Sequence, residues 1–260
     1  MVVLMASDLV LQQRHGSAVL LTLNQGARRN VLSTALVDAL AAAYDEIEAD
    51  AEVNVVVLTG GGPAFCAGAE LSVLRAAAER EFDVVRKVYD GFLRVLRSPL
   101  PTIAAVNGPA VGAGFNLVLA CDVRLAGRSA IFDTRFAKLR LHPGGGHAWL
   151  LARAVGEQRA MLATAFGEVW NAEQAMSAGL VAAVHEDDRL VEAALALARQ
   201  MDGQESAFTR RVVDTIRRAL VTDTHDDALA HETAAQAWST SRPAFLEGLA
   251  AMEQKISRAK

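Results

Sequence analysis

Two stretches of this 260-residue chain set a glycine-rich turn directly after a short apolar run. The first reads as a buried strand, Val53–Leu58, running into Thr59-Gly60-Gly61-Gly62-Pro63 and then a small-residue loop, Ala67–Ala69. In the second, Thr102–Val106 reads as a strand and Asn107-Gly108-Pro109 as a turn. After Gly112-Ala113-Gly114 the apolar pattern becomes that of a buried helix running to about Cys121. A strand, a glycine turn and a helix start leave backbone N–H groups unpaired, with a partial positive charge suited to an oxyanion or a phosphate. A dinucleotide fingerprint would need glycine at position 117, where Leu117 stands, and no Gly-Lys-Ser/Thr follows to make a phosphate-cradling loop. Turns that need glycine only for room are the plainer alternative. Farther on, His142 and His147 flank Pro143-Gly144-Gly145-Gly146, and a histidine can carry protons near neutral pH. Packing residues at a helix start are the alternative for both. Asp133-Thr134-Arg135 reads as a structural ion-pair cluster or, less simply, as an acid/base pair.

The segments VVLTGGGPAFCAGAEL and PTIAAVNGPAVGAGFNLVLACDVRLA, with HPGGG, LLARAVG and AEQAMSAGLVAAV after them, together resemble the enoyl-CoA hydratase/isomerase (crotonase) superfamily. The resemblance covers about residues 8–255. It implies an α/β chain in the crotonase (ClpP/crotonase-like) spiral fold of strand–helix units, with a C-terminal helical region that builds trimers, often paired into hexamers. It implies an acyl-CoA or enoyl-CoA thioester as substrate or ligand and no further cofactor. Carried over residue by residue, the backbone N–H groups of Ala69 and Ala113 fall where the family holds the thioester oxygen. Arg28, Arg29 and Lys255 fall near the CoA phosphates, and Ala67, Gly68, Ala69 and Leu71 along the CoA path.

The resemblance breaks at the acid/base positions. The two glutamate slots of family hydratases fall on Asn116 and Phe136, and a third slot, aspartate in some isomerases and dehalogenases, falls on Gly144. Glu70 replaces the usual aspartate of the first motif and is expected to act as an N-cap-like loop carboxylate. Hydrating an enoyl thioester requires one group to take a proton from water and another to supply one to Cα. Asn116 cannot titrate near neutrality, and Phe136 can only fill space or touch an acyl chain. The usual two-glutamate hydratase route is therefore not expected, and His142 is the leading candidate for a relocated acid/base. Two functions stay open: an enzyme of enolate chemistry, nominally a hydratase or isomerase of fatty acid metabolism, and a non-catalytic acyl-CoA-binding pseudoenzyme serving as carrier or sensor.

The elements that must position these residues are legible in outline. Leu9–Gln13 and Ala18–Leu23 read as a hairpin, and Asn24–Asn30 as a polar loop carrying Arg28 and Arg29. Ser33 or Thr34 caps a helix with Leu36, Leu40, Tyr44 and Ile47 on one face. A charged helical segment from about Leu71 to Arg97 precedes the second strand–turn–helix, and Val123–Ala126 reads as a strand. Strands alternating with helices predict mainly parallel pairing. From Asp187 onward the pattern is helical, so residues 1–200 are expected to form the acyl-CoA-binding core and 201–260 a helical extension that packs on it and joins copies of the chain. A net charge of −4 without a basic, aromatic-interleaved patch argues against nucleic acid. No apolar run approaches the roughly 20 residues of a membrane span. Met1–Leu4 lacks a basic leader. Cys66 and Cys121 sit in apolar elements, too few cysteines for a structural metal site. A reducing, cytoplasmic setting is the expectation.

Overall fold

The computed structural model describes residues 3–258, with side chains described from Asp8 onward, so Met1 and Val2 of the leader reading lie outside it. Two compact units divide the chain after Asp202. The first opens with three strands, Val3–Ser7 (β1), Val10–His15 (β2) and Ala18–Leu23 (β3), joined as antiparallel neighbours. The hairpin β2–β3 matches the sequence expectation, while β1, an edge strand, carried no clear pattern. Helix Thr34–Ala49 (α1) follows. The Ser33 Oγ accepts from the Leu36 N–H at 3.3 Å, capping the first turn, and Leu36, Leu40, Tyr44 and Ile47 are all buried.

Strand Val55–Gly60 (β4) pairs parallel with β3, and every residue of it is buried. Such unbroken apolar, β-branched runs belong in the interior of a parallel sheet covered on both faces. Helices Leu71–Ala78 (α2) and Phe82–Leu96 (α3) replace the single charged segment expected over 71–97. The break comes at Arg80, which adopts a left-handed φ of 68°, with the Glu81 N–H bonded back to the Ala76 carbonyl. The turn lets α3 bury Val88, Phe92 and Val95, whereas α2 buries only Val73.

The chain then forms Thr102–Val106 (β5), Ala110–Val111 (β6), Ala113–Leu119 (α4), Val123–Gly127 (β7), Ile131–Asp133 (β8), Phe136–Leu139 (α5) and His147–Thr164 (α6). Trp170–Asn171 (β9), Ala172–Ser177 (α7), Ala183–His185 (β10) and Leu190–Ala198 (α8) complete the first unit. Its main sheet runs β1-β2-β3-β4-β5-β7-β10, parallel from β3 onward, and β6-β8-β9 form a small second sheet. Residues of β4 divide by parity. Val56 and Leu58 join the large core with Leu21, Leu36, Tyr44 and Phe92, and Val55 and Val57 face Leu190, Ala194 and Leu195 of α8.

One buried side chain ties the first glycine turn to the loop before α1. Asn30, at a φ of 53°, donates to the carbonyls of Gly61 and Ala64 at 2.9 and 2.8 Å and accepts from the Gln25 N–H.

The second unit holds Ser206–Ala219 (α9), His225–Thr240 (α10) and Pro243–Arg258 (α11), with the Thr224 side chain capping α10. Trp238 lies under the guanidinium groups of Arg211 and Arg242, and Arg242 is paired with Glu205. Phe208, Val212, Ile216 and Leu220 of this unit are exposed, as are Leu249, Met252 and Ile256. Among the described residues no helix is long and apolar enough to cross a membrane.

Replacing Asn30 by Ala strips partners from buried carbonyls and leaves a side chain other than Asn or Gly at positive φ. The expected loss is about 1–3 kcal/mol, read as a lowered midpoint in urea.

Candidate active site

The two glycine-rich motifs meet along the backbone. The Cys66 N–H donates to the Pro109 carbonyl at 3.2 Å, and the Val111 N–H donates to the Cys66 carbonyl at 3.0 Å. On its other side the same loop is held by Ala67 N–H to the Arg29 carbonyl (2.9 Å) and Leu32 N–H to the Gly68 carbonyl (2.8 Å). Asn107 clamps the turns behind it, accepting from the Gly60 N–H and donating to the Gly62 carbonyl, both at 3.0 Å.

This approach leaves no room for side chains at two points. A Cβ at Gly114 would overlap the Cys66 carbonyl oxygen, so any other residue there would push the loops apart. Gly68 has a φ of 98°, and a Cβ on it would stand 2.6 Å from the Val111 carbonyl oxygen and 3.7 Å from the Ala113 nitrogen. The Gly68–Ala69 peptide therefore lies beside the N–H that opens α4. Ala113 is the first residue of that helix, so its N–H has no carbonyl one turn earlier to receive it. Sequence reasoning singled out Ala69 and Ala113, and the fold brings their peptides together.

One turn along α4 from Ala113, Asn116 is 2 % exposed, and its Nδ2 donates to the Gly144 carbonyl at 3.1 Å. Its Oδ1 lies 2.6 Å from Nδ1 of His147, the first residue of α6. With Nδ2 committed to a carbonyl, Oδ1 is the acceptor, which assigns the imidazole proton to Nδ1. The His147 Nε2 is buried and has no partner among the described residues. The ring stands edge-on to Phe115 at 5.7 Å and to Phe136 at 5.0 Å between centroids. Asn116 and Phe136 are thus bridged by one buried imidazole. Burial lowers its pKa to about 4, so the ring is neutral at pH 7.

The remaining candidates lie apart from this cluster. His142 is exposed, with its Nδ1 2.8 Å from the carbonyl of its neighbour Pro143. Asp133 is taken up by Arg135 at 2.9 Å and Lys138 at 3.3 Å and also accepts the Arg135 N–H, the structural ion-pair cluster expected from the sequence. Glu70 corrects its expectation. It stands at the N-cap of α2 but makes no side-chain cap, because its carboxylate is paired with Arg28. Arg29 is exposed, Ala67 half-buried, and Leu71 71 % exposed at the start of α2. Lys255 is exposed on α11 in the second unit.

Sequence reasoning missed Tyr89. It lies in α3, read only as a charged, solvated helix, yet its ring packs 5.7 Å from Phe92 and its hydroxyl abuts Gly144. The spacing Val84, Val85, Val88, Phe92 and Val95 marks a buried face that could have drawn attention to its neighbours.

A sequence model described as enoyl-CoA hydratase/isomerase matches residues 13–257. A probable enoyl-CoA hydratase of Mycobacterium tuberculosis is 44 % identical over 258 residues, covering 95 % of this chain and 98 % of the relative. The 1,2-epoxyphenylacetyl-CoA isomerase of Escherichia coli is 33 % identical over 261 residues, 96 % of this chain and 97 % of the relative. Among solved structures, an enoyl-CoA hydratase from Bacillus anthracis superposes with a TM-score of 0.89 at 32 % identity, covering 95 % of this chain and 96 % of that one. The chain belongs to the enoyl-CoA hydratase/isomerase (crotonase) family, and the architecture above is the crotonase fold.

The His147 shift has a consequence for stability. The unfolded chain takes a proton on this ring below about pH 6.5, and the folded chain refuses it until about pH 4. Stability is therefore expected to fall by about 3 kcal/mol as pH drops through that window. Urea titrations at about pH 7 and about pH 4.5 should show a smaller drop for His147→Gln than for the parent protein.

Proposed function

We propose that this protein binds acyl-CoA or enoyl-CoA thioesters and stabilises their enolates with the backbone N–H groups of Ala69 and Ala113. The observation that carries the reading is the backbone stitching of the two motifs, which sets the Gly68–Ala69 peptide beside the free N–H at the start of α4. Two fixed donors aimed at a developing oxyanion act most strongly where water is excluded. Arg28, Arg29 and Lys255 serve the CoA phosphates, and Ala67, Gly68 and Leu71 line the CoA path. Arg28 must exchange Glu70 for a phosphate to do so. The reaction is hydration or double-bond isomerisation in fatty acid metabolism, needing no cofactor beyond the substrate's own CoA, and the setting is cytoplasmic.

With asparagine and phenylalanine where carboxylates would work, the proton falls to another kind of group. His142 and His147 have suitable chemistry at the loop, one exposed and the other held neutral by burial. A second reading has its own support: Asn116, His147 and Phe136 form a packed unit, as a non-catalytic acyl-CoA carrier or sensor would build. The chain works as a homotrimer or a pair of trimers, supported by the apolar side chains that α9 and α11 expose. Light scattering should give a mass of three or six chains.

Purified protein offered short, medium and long 2-enoyl- and 3-enoyl-CoAs should yield products that have gained water or shifted the double bond, read by mass spectrometry. Bound acyl-CoA with no product from any substrate would favour the carrier. Ala113→Pro keeps a residue suited to the first helical position while deleting its N–H. It is expected to lower kcat by about 10²–10³-fold with acyl-CoA binding retained, and unchanged turnover would remove Ala113 from the mechanism.

A further inference from the structure

Gly144 is a point of convergence for three elements. Its carbonyl receives the Asn116 Nδ2 from α4, its backbone accepts the His147 N–H that opens α6 at 3.3 Å, and its α-carbon faces Tyr89 of α3. A Cβ built on Gly144 would overlap the Tyr89 hydroxyl oxygen and stand 3.0 Å from Cζ. The phenol oxygen therefore fills the space that a side chain at position 144 would take, and it can stand there only because that residue is glycine. Tyr89 is half-buried, its ring is braced by Phe92, and among the described residues its hydroxyl has no hydrogen-bond partner.

Of the other groups at this junction, the buried His147 Nε2 has no partner among the described residues but, with the ring proton on Nδ1, no hydrogen to give. Asn116 spends its amide on Gly144 and His147, the His147 Nδ1 on Asn116, and Asp133 on two cations. The Tyr89 hydroxyl is the group here that can both give and take a proton and still has its hydrogen free to give. Through Gly144 it is connected to α4, since Asn116 links Gly144 to the helix that Ala113 opens.

Resting on the enolate reading above, we propose that Tyr89 is the proton-transfer residue of this site. Its O–H delivers the proton to Cα of the thioester enolate. In hydration the water oxygen bonds to Cβ, the electron pair of the double bond moves to the thioester oxygen, and its return to Cα takes the Tyr89 proton. The proton lost by the water restores the phenol. Run without water addition, Tyr89 first yields its O–H proton to solvent; the phenolate then takes a proton from Cα of a saturated acyl-CoA, and the phenol so formed trades that proton for one from solvent before returning it to Cα. The Asn116–His147 pair acts on this step as a positioning element, fixing the loop that leaves room for the phenol.

The test is exchange of Cα hydrogen for deuterium in a saturated acyl-CoA such as butyryl-CoA, read by mass spectrometry in heavy water beside acyl-CoA binding by calorimetry. The parent protein is expected to exchange, and Tyr89→Phe to lose about 10²–10⁴-fold in rate with binding retained. Gly144→Ala, whose Cβ would displace the phenol oxygen, should lose exchange similarly while Tyr89 remains in the chain. Exchange at the parent rate in Tyr89→Phe would overturn the assignment of Tyr89 and leave the enolate reading standing. A parent protein that binds acyl-CoA but exchanges nothing would overturn both, and circular dichroism matching the parent keeps a misfolded variant from being read as a loss of chemistry.

Discussion

The structure depends on a contact between two stretches of backbone with no side chain between them. Gly114 lies so close to the Cys66 carbonyl that a methyl group would wedge the motifs apart, and paired hydrogen bonds between Cys66 and the Pro109–Val111 segment hold them there. The strands behind this junction are adjacent and parallel, so both motifs leave the same edge of the sheet in the same direction. In open parallel sheets the loops beyond the carboxyl ends of the strands are where ligands bind. Asn107 and Asn30 brace that edge from behind, using buried amides where the turns leave carbonyls unpaired.

Around this rigid centre the charges are mostly spoken for. Glu70 and Arg28 neutralise each other at the rim, and Asp133 is shared by two cations. Beside Asn116 the chain has packed aromatic rings around a neutral imidazole, with Phe115 and Phe136 edge-on to it. A protonated histidine would be costly in that setting, which is what its lowered pKa expresses. The cluster thus favours neutral partners over charged ones.

Much of this was legible in the sequence, for reasons that differ by residue. Ser33 and the spacing Leu36, Leu40, Tyr44, Ile47 specify α1 locally, so cap and buried face were found where expected. The glycines of the two motifs announce turns and close approach, while Ala69 and Ala113 could be singled out only through the family resemblance that those motifs carry. Strand β1 was missed because its place comes from pairing with β2 rather than from any period of its own. The turn at Arg80 was missed because a charged residue at positive φ leaves no compositional signal. The Arg28–Glu70 pair, the Asn116–His147 bond and the approach of Tyr89 to Gly144 join residues far apart in the chain, so only the path of the fold reveals them.

An oxygen site built from peptide N–H groups, as proposed for Ala69 and Ala113, has a bearing on descent. A side-chain catalyst is lost by one codon change, but a backbone donor survives any substitution that respects the chain's course. On that proposal, the part of the site that polarises a carbonyl is inherited with the fold itself, and the part that moves protons is inherited residue by residue. Lineages of this architecture can therefore exchange their proton carriers repeatedly without rebuilding the place where the substrate is held.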